Sequence, residues 1–172
     1  MEFLELAKKR FSVRQYTDKK VEKEKLDRVL KAAQVAPTAC NLQPVHMLVV
    51  ESEEGIEKVK KAANIHGASM VILVCADQEK AWKRACDGKC SADIDASILT
   101  DHMMLEATEI GLGSLWICSF RPDVLREEFA LPANLEVVNI LALGYAACGQ
   151  ADPERHSEKR ASLESMVSYE KL

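Results

Sequence analysis

Apolar positions along this chain fall into two alternating rhythms. From Glu22 to Val35, Leu26, Val29, Leu30 and Ala33 recur every three or four residues, which predicts a helix with one buried stripe. Pro37 ends it, because proline disfavours helical geometry at Ala36 and has no amide to donate. Met1 to Lys9 reads as a shorter helix with Phe3, Leu4, Leu6 and Ala7 on its apolar side. Val45 to Val50 is an apolar, β-branched run and predicts a buried strand. After a helix at Glu53 to Ala63, Ser69 to Ala76 is continuously apolar, as suits a sheet covered on both faces. Asp93 to Ile110 is apolar around most of a helix and belongs in a core or at an interface, with Gly111 as its stop. Ser114 to Cys118 and Leu135 to Leu143 read as strands, with a short helix from Pro122 to Phe129 between them.

The segments between these elements are polar. Lys80 to Ser91 is charged and irregular, with a turn at Asp87-Gly88-Lys89. Gly149 to Ala161 is hydrophilic and turn-rich, and Leu163 to Tyr169 has enough apolar residues to dock, most naturally on another subunit. Alternating strands and helices predict a layered α/β-type domain with helices on both faces of a sheet. At 172 residues the chain is expected to be one domain.

A content of 48% hydrophobic and 29% charged residues is that of a globular protein. The formal net charge of -4, without a long basic run, argues against nucleic acid as a partner. No apolar stretch approaches the roughly 20 residues that span a bilayer, and the N-terminus lacks a signal peptide's apolar core, so a cytoplasmic location is expected. The six cysteines are then expected as free thiols. Cys86 and Cys90 lie four apart near Asp87 and Asp93, but no second pair or histidine cluster completes a metal site.

Two stretches carry chemistry. Ala36 to Pro44 frames Thr38, Asn41 and Gln43 between two prolines, at the entrance to the strand at Val45. Its amides suit a heteroaromatic edge that alternates donors and acceptors, or they cap their own loop. In Arg10-Phe-Ser12-Val-Arg14, alternation along an extended segment places two guanidiniums and a hydroxyl on one side. Such a set suits a phosphate.

Together these stretches resemble the nitroreductase family of flavoproteins. So do the long helix from Asp93, the Gly111-Leu-Gly113 turn into Ser-Leu-Trp116-Ile-Cys-Ser-Phe120, and Leu131-Pro132. Leu143-Gly144-Tyr145 and Arg160-Ala-Ser-Leu163-Glu complete the match, from Phe3 to Tyr169 in the family's order.

The resemblance implies an α+β fold, a three-layer α/β/α sandwich with a mostly antiparallel central sheet and a domain-swapped C-terminal segment. It also implies a homodimer with FMN at its interface and NAD(P)H as reductant of the flavin. Nitroaromatics, quinones or a similar small acceptor then follow in the same place. Carried over by position, Arg10, Ser12 and Arg14 would hold the FMN phosphate, with Arg160, or Lys159 in its stead, approaching from the tail. Pro37, Thr38, Ala39, Asn41 and Gln43 would line the flavin from the second subunit. Cys118 and Ser119 would pass the flavin's redox-active nitrogen with their backbone. Val45 and Cys40 depart from the family's usual residues, which affects the pocket's shape. No side chain is required as a catalytic acid or nucleophile, because the flavin does the chemistry. His46, His66, His102 and His156 are therefore expected to be structural or solvent-facing, with His102 inside the helix. Alternative readings are a flavin- or thiol-based redox sensor, and another reaction on the same fold such as reductive dehalogenation.

Overall fold

The computed structural model describes residues 2–149 and 151–171; Met1 and Gln150, within two of the expected stretches, lie outside them. Four strands, β1 (Val45–Val50), β2 (Met70–Asp77), β3 (Gly113–Ile117) and β4 (Leu135–Gly144), form one sheet in the order β1-β2-β4-β3. Every ladder is antiparallel. The fold is therefore α+β, as the resemblance implied. Alternation of strands and helices alone had suggested the α/β class, because it does not reveal strand direction.

β2 and β4 lie in the middle of the sheet, which is why β2 is apolar and buried from Met70 to Ala76 and β4 is buried from Asn139 to Gly144. Alternate residues of each feed two separate cores. Ile72, Val74, Leu141 and Leu143 meet α2 (Lys23–Val35) and α4 (Ala92–Glu109) through Val29, Ala33, Leu99 and Met103. Val71, Leu73 and Ile140 meet α3 (Glu53–Lys60) and α5 (Pro122–Glu128) through Val59 and Leu125. Helix, sheet and helix make three layers. Each large aliphatic side chain buried in this way contributes about 1.5–3 kcal/mol before entropy is counted.

β1 corrects one expectation. Apart from His46 its run is apolar like that of β2, yet only Val50 is buried, because β1 is an edge strand with a partner on one side only. α1 (Phe3–Lys9) corrects another: Phe3 and Leu4 point outward, 64% and 71% exposed. The polar stretch after Gly149 contains a five-residue helix, α6 (Arg155–Lys159), followed by α7 (Leu163–Met166).

The opposite edge of the sheet is closed by the segment after α1. The Val13 amide donates to Ser114 O at 3.0 Å, and Ser12 forms an isolated parallel bridge to Ser114. Val13 is fully buried against Gly113, where a Cβ would lie 2.7 Å from Val13 Cγ2. Glycine is needed there so that the Val13 side chain can lie directly against the backbone of β3. This contact fixes Arg10 and Ser12 at the start of β3. Among the described residues, no helix is long and apolar enough to cross a membrane.

Candidate functional site

Arg10 and Ser12 line a cavity of about 270 Å³ of free space with Phe11, Arg155, His156, Lys159 and Arg160. The cavity thus joins the two ends of the chain, and four of its seven residues are cationic. Burial, followed by the neighbouring Arg155 and Arg160 charges, lowers the Arg10 pKa from its ordinary value, and Asp101 opposes this.

A cluster of like charges held this closely is stabilised by an anion. Arg14, expected on the same side, is exposed outside the lining, and among the described residues its side chain donates only to Ser12 O, at 3.5 Å. Arg160 and Lys159 line the cavity together with Arg10 and Ser12. Arg155 and His156 were not anticipated, since nothing in their local sequence marks them.

The loop from Pro37 to Gln43 is anchored elsewhere, on the first turn of α4. Asp95, 1% exposed, accepts from the Ala39 amide at 2.8 Å and from the Ser91 hydroxyl at 2.8 Å. Thr38 Oγ1 accepts from the Gln43 amide at 3.1 Å, and the Gln43 side chain donates to Asn41 O at 3.2 Å. Part of the loop's polar set therefore caps the loop itself. Cys40, Asn41 and Gln43 all have positive φ, at 50°, 54° and 51°. All three are exposed, so the loop presents a fixed shape to its surroundings.

Between this loop and Arg10 runs a cleft on the outer face of α4, lined by Asp93, Ile94, Ser97, Ile98, Asp101, His102 and Trp116. His102 is half-buried on its wall, not enclosed in the core as expected, and its Nδ1 pairs with Ile98 O at 2.9 Å. Ile94 is 52% exposed there.

Cys118 and Ser119 follow the end of β3, four and five residues beyond Ser114, or about 13–16 Å along an extended chain. Both are exposed. Ser119 lines a further cavity with Asn64, His66 and Arg121. The His66 amide donates to Asn64 Oδ1 at 2.9 Å, which holds this turn in shape. Asn64 and His66 are a second pair that the linear sequence did not single out, because they come from the loop before β2. Among the described residues, no group of three or more His, Cys, Asp or Glu is placed to hold a metal.

The family model for the nitroreductase family matches residues 7–69 and 56–145. A relative from Archaeoglobus fulgidus, named as an NADH dehydrogenase/NAD(P)H nitroreductase, is 35% identical over 152 residues. That match spans 84% of this chain and 85% of the relative. The crystal structure of a nitroreductase family protein from Clostridium difficile 630 superposes with a TM-score of 0.98 at 56% identity, covering 100% of both chains. A nitroreductase in complex with FMN from Desulfovibrio desulfuricans superposes with a TM-score of 0.83 at 25% identity, over 100% of this chain and 98% of that one. With a family match across most of its length and a fold to agree, this chain belongs to the nitroreductase family.

Proposed function

We propose that this chain is a single FMN-binding domain that works as a homodimeric, cytoplasmic NAD(P)H oxidoreductase. Its second substrate is a nitroaromatic, a quinone or a similar small acceptor. The observation that carries this reading is the convergence of Arg10, Ser12, Lys159 and Arg160 on one cavity. Cations and a hydroxyl with no carboxylate in the lining fit a phosphate dianion. The FMN bound by the Desulfovibrio desulfuricans relative carries such a group.

FMN, when bound, supplies the redox chemistry, taking hydride from NAD(P)H and passing electrons to the acceptor. The protein's part is to bind and orient. Arg10, Ser12 and Arg160 hold the phosphate, with Arg14 in the outer field. The backbone of Cys118 and Ser119 lies against the ring's reactive edge. Pro37, Thr38, Ala39, Asn41 and Gln43 cover the ring from the partner subunit, on a loop already fixed by Asp95. Support for a swapped C-terminal arm comes from Leu163, Met166 and Tyr169, which are 71%, 70% and 88% exposed. The outer edge of β1 offers such an arm a place to pair.

The test is an absorption spectrum of the purified protein, repeated without oxygen after adding NADH or NADPH. Flavin bands that bleach support the reading. A colourless protein that takes up no FMN refutes it. A second reading, a thiol-based sensor, is favoured by the exposure of Cys40, Cys86, Cys118 and Cys148. Steady NAD(P)H turnover that survives thiol blocking rejects it.

A further inference from the structure

Residues 151–171 are tied to the rest of the chain by few polar contacts. Among the described residues, three hydrogen bonds do so: Arg155 Nη1 to Lys8 O at 2.9 Å, Arg155 Nη2 to Arg10 O at 2.7 Å, and His156 Nε2 to Lys8 O at 3.3 Å. All three end on carbonyls at the C-terminus of α1, where the helix leaves acceptors unpaired and its dipole favours a cation. One neutral tautomer of His156 serves both its contacts. Nε2–H donates to Lys8 O, while the bare Nδ1 accepts from Arg160 Nε at 3.5 Å.

The cations of the basic cavity thus divide into two kinds. Arg155 is occupied with carbonyls, including Asp152 O at 2.8 Å. Arg10 and Lys159 make no side-chain hydrogen bond to the protein among the described residues, and Arg160 is held by one nitrogen only. The first kind holds the wall in place; the second is open to a ligand.

We propose that Arg155 and His156 are positioning residues that latch α6 onto the end of α1, so that an anion in the basic cavity and the docked C-terminal segment stabilise each other. The proposal rests on the reading of this cavity as the FMN phosphate site. Without an anion, docking brings Lys159 and Arg160 against Arg10; with one, the same approach is favourable. By linkage, the factor by which docking tightens the anion is the factor by which the anion favours docking.

Hydrogen–deuterium exchange of the full-length protein tests this, with FMN, riboflavin or inorganic phosphate added in turn. FMN and phosphate should slow exchange of the 155–160 amides by about tenfold, a usual size for coupling between sites. Riboflavin, which lacks the phosphate, should not. Arg155→Ala should abolish that slowing and weaken FMN binding about tenfold while leaving riboflavin affinity unchanged, and Arg155→Lys should restore part of it. Loss of riboflavin affinity as well would mean a merely structural role and would overturn the proposal. So would bound FMN that leaves exchange at 155–160 unaltered. If FMN fails to bind but phosphate still protects 155–160, the FMN reading falls and the latch stands. If Arg155→Ala does not fold, the comparison of the three ligands on the unaltered protein decides alone.

Discussion

Replacing Asp95 by alanine measures what holds the loop at residues 37–43. The carboxylate is buried, and its two oxygens each accept one hydrogen bond at 2.8 Å, from the Ala39 amide and the Ser91 hydroxyl. A hydrogen bond to a charged group is worth roughly 1.5–3 kcal/mol, and a buried donor left without a partner costs a similar amount. Asp95→Ala should therefore destabilise the fold by roughly 3 kcal/mol. Asp95→Asn separates hydrogen bonding from charge. Its Oδ1 still accepts from Ala39, and its Nδ2 can donate to Ser91 Oγ. What it loses is a negative charge in the first turn of α4, worth about 0.3–1 kcal/mol. Urea unfolding reads both. With a slope of about 2 kcal/mol per molar, the alanine midpoint falls by about 1.5 M and the asparagine midpoint by about 0.5 M or less. Equal midpoints for the two variants would refute the hydrogen-bond argument, as would an alanine variant as stable as the parent.

Gly113→Ala should push Val13 off β3 and cost about 1–3 kcal/mol, seen as a lower melting temperature together with weaker FMN binding. Arg10→Ala should weaken FMN binding about tenfold or more, and Arg14→Ala by less, in a fluorescence titration; the reverse order would contradict the cavity lining. Burial pushes the Cys75 thiol up to about 11, from 9.0, so it should resist alkylation at pH 8 while the exposed Cys40 and Cys118 react. A raised thiol pKa favours the folded state fully below pH 9.0, and that contribution should be lost as pH rises from 9.0 toward 11. Mass spectrometry of alkylated peptides checks the first statement and unfolding curves across that range check the second.

The central elements were legible because burial leaves an unbroken apolar run, as in β2 from Met70 to Ala76, or a helix with apolar residues around most of its circumference, as in α4. The edge position of β1 was not, because its residues look like those of β2 and differ only in their neighbours. Arg10 and Ser12 were readable from alternation. Arg14 was misplaced by the same rule, since the segment pairs with β3 at Ser12 alone before leaving the ladder. Asp95 looked like any of the several polar residues in α4, and its partner amide lies 56 residues away. α6 has no apolar stripe to announce it; Arg155 docks it onto carbonyls at the far end of the chain.

The left-handed backbone at Cys40, Asn41 and Gln43 has a bearing on how this protein can change over time. For residues with a Cβ that geometry costs roughly 1 kcal/mol or more each, and glycine would relieve it. Glycine would also let the loop wander when nothing is bound, moving the ordering entropy from folding to binding. Drift toward glycine at these three positions should therefore give a chain that is easier to fold and slower to find its ligand.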